Sequence, residues 1–366
     1  MSKRVKKLKI SIGSKLIDGP WGGGNLFVSN LVKYLEEKDV ELFSDLSDNQ
    51  LDIILLTEPR FNSPTSTIST NEAKYYKKYI NPGVKIIHRI NECDERKNTN
   101  TVNQKILKAN KIADHTVFVS SWLMKIYLNL GKSKQNSSVI YSGSNTSIFN
   151  SENNNEWNGK EKIKLVTHHW GNDWNKGFSI YKFIDDKLSQ PDFDEKYEFT
   201  YIGNLPKDFS FKNVNFISPL SGRSLADKLK ENHIYLTASI NEPSGNHHIE
   251  GALCGLPVLY LESGGTPEYS NGFGVSFYED NFIEKLEEIV ENYNYYKQNM
   301  INYPFKSEVM CSEYYSLFES FPKYSFETKG VKFNPFKYNL INRLINSLKI
   351  IYMKLVFYYE KIKRIT

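Results

Sequence analysis

The sequence predicts an α/β protein of two domains with parallel sheets, followed by a C-terminal amphipathic helix. In both halves of the chain, short apolar runs alternate with segments of helical periodicity, which is typical of parallel strands linked by helices. A length of 366 residues is sufficient for two hydrophobic cores. The polar run over residues 150–160 is therefore interpreted as the linker between two domains.

The predicted elements follow this alternation. In the first half, strands are predicted over residues 8–13, 51–56, 84–87 and 116–119, with a glycine cluster after the first strand and a helix over residues 26–36. In the second half, strands are predicted over residues 164–167 and 233–238. A short helix is predicted to begin near Asn246, with Ser244 or Asn246 as its N-cap.

Composition indicates a folded chain in a reducing compartment. Hydrophobic residues make up 40% of the chain and aromatic residues 14%, which excludes a disordered protein. The three cysteines, Cys93, Cys254 and Cys311, have neither metal-site nor disulfide spacing. The basic start of the chain is followed by an apolar stretch only one strand long, so we expect no signal peptide. A cytoplasmic protein is expected.

The most informative motif contains two glutamates, Glu242 and Glu250, with seven residues between them. A Gly245–Asn246 turn separates the glutamates, and the predicted helix begins at this turn. The free amides and the positive dipole end of such a helix attract anions. Carboxylates beside them accept hydrogen bonds from hydroxyl groups. The pattern indicates a site for an anionic compound that also carries hydroxyls.

This motif resembles the donor-site signature of retaining glycosyltransferases of the family 4 type. The resemblance rests on Glu-x7-Glu, then Gly-Ala-Leu-Cys-Gly-Leu-Pro-Val-Leu, then Gly-Gly-Thr-Pro-Glu. The matching residues are closely spaced over residues 234–268. Weaker matches follow the family's order along the chain over roughly residues 8–320. The resemblance implies the GT-B fold, in which two Rossmann-like, doubly wound domains face each other. The implied domains are residues 1–150 on the acceptor side, residues 151–322 for the nucleotide sugar, and a basic tail over residues 323–366.

The resemblance also implies roles for the residues of the motif. Glu242 would contact the transferred sugar, and Glu250 would contact the ribose hydroxyls of the nucleotide. Gly245 and Asn246 would offer backbone amides to the sugar or to phosphate. The turn that contains Gly264 and Gly265 closes the same donor site. The alternative is that Glu250 only complements the helix dipole and that Glu242 is a solvated loop residue.

One position departs from the family pattern in the loop after the strand at residues 164–167. The family loop contains an arginine and, several residues later, a lysine before glycine, both of which grip the diphosphate. Lys176 matches the lysine, but His168, His169 or Trp170 stands near the place of the arginine. Loss of the arginine removes a guanidinium group, whose hydrogen-bond donors lie in one plane. Arg223 is the candidate replacement; the alternative is a surface charge at a helix start.

The glycine cluster of the first half, Gly22, Gly23 and Gly24, lacks the dinucleotide-binding spacing. A turn between strand and helix still brings bare amides close to a ligand. The resemblance implies a loop that reaches across the cleft towards the donor phosphates or the acceptor. The alternative is a tight turn in which glycine supplies unusual backbone angles.

Three polar residues, His88, Arg89 and Asn91, follow the strand predicted at residues 84–87. Ligands of doubly wound sheets bind at this carboxyl edge of the strands. His88 would orient the sugar or the acceptor, as a first-domain histidine does in relatives, and Arg89 and Asn91 would do the same. The alternative is that His88 caps the strand and hydrogen-bonds a neighbouring loop.

Four histidines suggest a metal, but their arrangement does not favour one. His168 and His169 are adjacent, as are His247 and His248, and no cysteine or carboxylate completes a familiar ligand set. The resemblance implies transfer without an essential metal, so no cofactor is expected. His169 and His247 are assigned to the substrate site, and His247 or His248 is expected to pack beside the nucleotide base or in the core.

The tail over residues 336–366 predicts a basic amphipathic helix. Its apolar residues recur at helical spacing, and seven basic residues oppose one acidic residue. This pattern favours an anionic membrane surface, and the interrupting charges exclude a membrane span. We therefore expect a peripheral association with the inner face of the membrane. The alternative is packing on the first domain or on a partner. Nucleic-acid binding is not expected, because no nucleic-acid motif accompanies the charge.

The resemblance implies a hexosyltransferase-like enzyme that moves a sugar from a UDP- or GDP-linked donor, with retention of configuration. A glycan, a lipid-linked glycan and a protein all remain open as acceptors. The candidate catalytic residues are Glu242, Lys176 and His88. Two alternatives stay open: a sugar-nucleotide 2-epimerase of the same fold, and a non-catalytic module that binds nucleotide sugars.

Overall fold

The computed structural model describes residues 7–17, 22–58 and 65–322, together with Leu344 and Leu348. The described residues form two six-stranded sheets in which every pair of neighbouring strands is parallel. Helices cover the sheets, so most strands are buried on both faces and consist of nearly continuous apolar runs. The predicted α/β class with two parallel sheets is confirmed.

The first sheet has the spatial strand order β2-β1-β3-β4-β5-β6. Its strands are β1 (Leu8–Ile12), β2 (Val40–Phe43), β3 (Ile53–Leu56), β4 (Lys85–Ile90), β5 (His115–Phe118) and β6 (Ser137–Val139). Its helices are α1 (Gly23–Glu36), α2 (Thr70–Tyr79), α3 (Asp94–Lys97), α4 (Val102–Asn110) and α5 (Ser121–Asn129). Strand order reverses between β1 and β3, where a doubly wound sheet opens a crevice at its carboxyl edge.

The second sheet has the spatial strand order β12-β11-β10-β7-β8-β9. Its strands are β7 (Ile163–His169), β8 (Tyr197–Gly203), β9 (Asn215–Ile217), β10 (Ile234–Thr237), β11 (Val258–Leu261) and β12 (Gly274–Phe277). The helices are α6 (Phe178–Lys187), α7 (Pro191–Asp194), α8 (Gly222–Lys230), α9 (Asn246–Leu253), α10 (Thr266–Ser270), α11 (Phe282–Glu291), α12 (Tyr293–Asn299) and α13 (Ser307–Ser320). Its order reverses between β7 and β10.

The last of these helices, α13, packs on the first domain rather than on the second. Met310, Cys311, Tyr314 and Phe318 of α13 are buried in the core that α1 and β1 form. The predicted range 151–322 for the second domain therefore differs from the structure, in which residues 307–320 complete the first core. No element was predicted from the sequence over these residues, so both the helix and the sheet that it covers were missed.

Two stretches of chain cross between the domains side by side. Ser144 N donates to the Phe305 carbonyl at 3.4 Å, and Ser307 N donates to the Ser144 carbonyl at 2.9 Å. These bonds pair the outgoing crossing, near Ser144, with the returning crossing that leads into α13. The paired crossings form the covalent joint of the molecule.

Side chains of α10 reinforce this joint from the second domain. Glu268 accepts the backbone amides of Ser121, at 2.7 Å, and of Trp122, at 2.6 Å, at the start of α5 in the first domain. The hydroxyl of Tyr269 donates to the Val119 carbonyl and accepts from Ser142 N at 3.0 Å. The glutamate satisfies helix amides that have no partner within the helix, and its charge is favourable at this helix end.

The predicted tail over residues 336–366 lies outside the described residues, apart from Leu344 and Leu348, whose side chains are exposed. Among the described residues, every helix is too short or too polar to cross a bilayer.

Replacing Tyr269 with phenylalanine is expected to destabilise the joint. The substitution leaves the buried Ser142 amide and the Val119 carbonyl without partners, a loss of about 1–3 kcal/mol in the free energy of unfolding. Urea denaturation measures this loss. The control is Tyr295→Phe, at a side chain that is 62% exposed, for which no change is expected. Equal stability of the two variants would contradict the assigned role of the Tyr269 hydroxyl.

Candidate active site

The candidate site lies where the second sheet reverses its strand order. Loops leave the carboxyl ends of β7 and β10 side by side, and Ile240 N donates to the Asn175 carbonyl at 2.8 Å to join them. The first loop contains Lys176, in a 3₁₀ turn at Trp174–Lys176, and the second contains Glu242. Topology thus brings together two residues that are far apart in sequence, at the edge where such sheets bind ligands.

Glu242 forms the centre of a charge cluster that joins the domains. Its side chain is only 8% exposed, and Lys176 Nζ donates to its Oε2 at 2.6 Å. Arg96, on α3 of the first domain, donates from Nε to the other oxygen at 3.0 Å. Arg96 Nη1 also donates to Glu92, at 3.0 Å, and Lys97 Nζ lies 3.2 Å from the same carboxylate. The alternative of a solvated Glu242 is therefore wrong.

The two cations control the ionisation of Glu242. Burial raises the pKa of a carboxyl group, but the charges of Arg96 and Lys176 outweigh this effect and lower the pKa of Glu242. Burial also lowers the pKa of Lys176, and the nearby charge of Arg96 adds to this effect, while Glu242 opposes it. Glu242 is consequently a carboxylate at neutral pH, and it accepts hydrogen bonds without donating any.

A glycine turn fixes the backbone of Glu242. Gly265 N donates to the Glu242 carbonyl at 2.8 Å. Gly264 has a φ of +69°, and a Cβ at this position would lie 2.6 Å from the amide nitrogen and carbonyl oxygen of Glu242. Only glycine fits this close approach without strain. The predicted pair Gly264 and Gly265 therefore adjoins the candidate site through Glu242.

The N-terminus of α9 forms a second wall of the site. Gly245 is its N-cap residue, with a φ of +63° that favours glycine, and no side chain caps the helix. The prediction that Ser244 or Asn246 provides the cap is thus wrong. Asn246 instead faces the first domain, because a Cβ on Gly23 would lie 3.1 Å from its Oδ1.

The glycine cluster therefore opposes the tip of α9 across the cleft. Gly22 is the N-cap of α1, and Gly23 and Gly24 are in its first turn. Asn25 holds the preceding turn by accepting from Ile17 N at 3.0 Å and donating to the Ile17 carbonyl at 2.8 Å. This position is compatible with the predicted role of the three glycines, which stays a prediction.

Glu250 lies deeper in the site than Glu242. His168 Nε2, at the end of β7, is 2.8 Å from its Oε2. Ser144 Oγ, at the domain crossing, donates to its other oxygen at 3.5 Å. Glu250 is one helical turn beyond Asn246, so both lie on the same face of α9.

Three further histidines surround the centre of the site as neutral groups. Burial lowers the pKa values of His169 and His247 far below the ordinary range, and lowers the pKa of His248 to about 3. His247 Nε2 is 2.8 Å from Thr237 Oγ1, whereas neither ring nitrogen of His248 has a partner among the described residues. The described residues contain no group of three His, Cys, Asp or Glu arranged to hold a metal.

Two of the three residues predicted to follow a strand of the first sheet, His88 and Arg89, differ in position from the prediction. β4 extends to Ile90, so His88 and Arg89 lie within the strand and not beyond it, and only Asn91 follows it. His88 is buried, and Asn110 of α4 lies 3.1 Å from its Nδ1. Arg89 points to the opposite face, where its guanidinium is 4.1 Å from the Phe27 ring centre.

The role of Arg223 as the replacement for the arginine of the family pattern stays a prediction. Arg223 is exposed in the first turn of α8, which follows β9 at the edge of the second sheet, and it makes no ion pair in the described ranges. Arg96 is the arginine that contacts the site, and sequence reasoning missed it. It lies on a four-residue helix of the first domain, 146 residues before Glu242, and no motif links the two positions.

Solved structures similar to this chain are glycosyltransferases and related enzymes. Sucrose-phosphate synthase of Thermosynechococcus elongatus aligns over 86% of this chain and 98% of its own, with 15% identity and a TM-score of 0.60. HepE of Anabaena, solved in complex with UDP-glucose, aligns over 86% and 100%, with 12% identity and a TM-score of 0.61. WaaG, a glycosyltransferase involved in lipopolysaccharide biosynthesis, aligns over 86% and 100%, with 11% identity and a TM-score of 0.58.

These similarities show the fold. The chain has the GT-B architecture of two Rossmann-like domains, as predicted. No protein-family model matches the chain, and no curated protein sequence does.

Replacing Glu242 with glutamine tests the charge cluster through pH. A glutamate with a lowered pKa stabilises the folded state fully above its ordinary pKa of 4.5, and this contribution is lost as pH falls towards the folded-state pKa. The difference in unfolding free energy between wild type and Glu242→Gln should therefore be constant from about pH 7 to about pH 5 and narrow below that.

The control for this measurement is Glu284→Gln, at a side chain that is 71% exposed. The difference in unfolding free energy between wild type and Glu284→Gln should stay small at every pH. A Glu242→Gln difference that is unchanged or larger in acid would contradict the assigned ionisation.

Proposed function

We propose that this protein transfers a sugar from a nucleoside-diphosphate sugar to an acceptor, with retention of anomeric configuration. The observation that carries the proposal is the cluster around Glu242, which sets a carboxylate and a lysine beside the tip of α9 at the sheet reversal. A sugar needs hydrogen-bond acceptors, and a departing diphosphate needs positive charge. Both are present within one cleft of a GT-B protein.

Lys176 and the tip of α9 would stabilise the departing diphosphate. Negative charge develops on the diphosphate as its bond to the anomeric carbon breaks, and fixed donors in a site shielded from water stabilise it. Lys176 has a side chain only 12% exposed, so its charge is poorly screened by solvent. The amides of the first turn of α9 lack intrahelical partners and add to this effect.

Glu242 and Glu250 would position the two ends of the donor. Glu242 lies at the junction of the domains and would accept hydroxyls of the sugar, while Glu250 would accept those of the ribose. His168 supports the second role, because its ring nitrogen is 2.8 Å from the Glu250 carboxylate and restrains its orientation. We assign both glutamates to positioning, which lowers the entropic part of the barrier.

The acceptor would occupy a cleft of the first domain. A small pocket with a cavity volume of about 30 Å³ lies at the carboxyl ends of β3 and β4, and its lining includes Thr57, His88, Asn91, Glu92 and Lys105. Glu92 also pairs with Arg96, which contacts Glu242, so the pocket adjoins the proposed sugar position. Thr57, Asn91 and Lys105 in this lining would hydrogen-bond the hydroxyls of a glycan or of a lipid-linked glycan.

The metal requirement and the location complete the proposal. Protein cations next to the diphosphate would supply the charge that a metal ion otherwise supplies, so we propose metal-independent transfer, testable with EDTA. We further propose that the protein works at the cytoplasmic face of a membrane through its basic tail, testable by sedimentation with anionic vesicles.

The test of function is a screen of nucleotides and nucleotide sugars for ligand-induced thermal stabilisation, followed by incubation of the best donor with glycan acceptors. Transfer with retained configuration, read by NMR of the anomeric proton, is the expected result. An isomerised donor in the absence of acceptor would favour the epimerase instead. No stabilisation by any UDP- or GDP-linked compound would overturn the proposal.

Replacing Lys176 with alanine should reduce kcat/KM by about 100-fold or more, because the substitution removes a buried cation that stabilises the departing charge. Lys182→Ala is the matched control. The Lys182 side chain is 54% exposed and pairs with Asp186 on α6, so its loss should leave transfer unchanged. Equal activity of the two variants would remove Lys176 from the proposed mechanism.

A further inference from the structure

Lys176 is the cation that the second domain contributes to the phosphate side of the proposed donor site. The loop from the end of β7 to α6 contains Lys176 and no arginine, and the three neutral histidines beside it contribute no positive charge. A diphosphate carries more negative charge than one lysine neutralises. The proposed function therefore needs a further cation next to the diphosphate.

The geometry points to Arg96: we propose that this first-domain arginine binds the β-phosphate of the nucleoside-diphosphate donor. Arg96 and Lys176 contact the two oxygens of the same Glu242 carboxylate, at 3.0 Å and 2.6 Å. This inference rests on the proposed function, in which Glu242 holds the sugar. The sugar of such a donor is joined to the β-phosphate, so a cation bound to the sugar-binding carboxylate is next to that phosphate.

Arg96 retains hydrogen-bonding capacity for this role. Its Nε donates to Glu242 and its Nη1 to Glu92, whereas its Nη2 makes no hydrogen bond within the described ranges. The side chain is 23% exposed, so it is held in place and still accessible from the cleft. A guanidinium with an open terminal nitrogen suits a phosphate oxygen, because its planar donors match that geometry.

The backbone around Arg96 is held by the second domain. Asn175, next to Lys176, donates to the Arg96 carbonyl at 3.2 Å, and Asn241, next to Glu242, donates to the Glu95 carbonyl at 3.3 Å. The loops that contain Lys176 and Glu242 thus both hydrogen-bond the backbone of α3. A diphosphate held by Lys176 and Arg96 would be bound by both domains. Its binding would therefore favour the arrangement in which the two domains are in contact.

The test compares nucleotide affinities of the full chain by isothermal titration calorimetry. Wild type and Arg96→Gln are titrated with UDP and UMP, and with GDP and GMP. If Arg96 binds the β-phosphate, Arg96→Gln should lower the affinity for the nucleoside diphosphate roughly tenfold or more. It should lower the affinity for the nucleoside monophosphate less than about threefold. Arg96→Lys, which keeps the charge but not the planar fork, should restore part of the affinity.

Two control variants separate this role from a structural one. Lys97→Gln removes a neighbouring charge whose one ion pair among the described residues is with Glu92. Asn175→Ala loosens the same interdomain contact without changing any charge. Neither should alter the ratio of diphosphate to monophosphate affinity. Two results would overturn the inference. One is an equal loss of affinity for the diphosphate and the monophosphate in Arg96→Gln. The other is a change in the ratio of the two affinities in Asn175→Ala as large as the change in Arg96→Gln. Failure of wild type to bind any of the four nucleotides would instead overturn the proposed function, and this inference with it.

Discussion

The ion pairs of Glu242 with Lys176 and Arg96 are the interaction on which the candidate site depends. They neutralise a buried carboxylate with one cation from each domain, so the site is complete only when the domains are together. A buried carboxylate without partners would take up a proton or destabilise the fold. The same contact therefore determines the charge of the site and the relative position of the domains, which the paired crossings near Ser144 and the Tyr269 hydroxyl reinforce.

The sequence predicted what depends on local pattern. Strands β1, β3, β4, β5, β7 and β10 were found because buried parallel strands are apolar runs. The start of α9 was found because the Gly245–Asn246 turn marks it. Arg96 and the packing of α13 on the first core were missed because both depend on contacts between distant segments, which leave no periodic signal. The end of β4 was placed too early because His88 and Arg89 are polar, yet both are buried by partners that lie elsewhere in the chain.

The histidines of the site explain why the position of cations matters. Histidine is the side chain that most readily changes charge near neutrality, but burial keeps His169, His247 and His248 uncharged. Their rings fill the space between β7 and α9, where His169 and His247 have ring centres 4.5 Å apart. Because these rings are uncharged, the positive charge of the site comes from longer side chains, and Lys176 and Arg96 provide it beside Glu242.

The ion pairs of Glu242 leave it able to bind a sugar. A carboxylate offers about four lone-pair sites, and Lys176 and Arg96 use one on each oxygen. Two sugar hydroxyls can therefore donate to the remaining sites without displacing either cation. Because the cations lower its pKa, Glu242 is also a poor proton acceptor, which argues against general-base catalysis by this residue. In the proposed function, Glu242 therefore orients the sugar while the cations beside it stabilise the charge of the departing diphosphate.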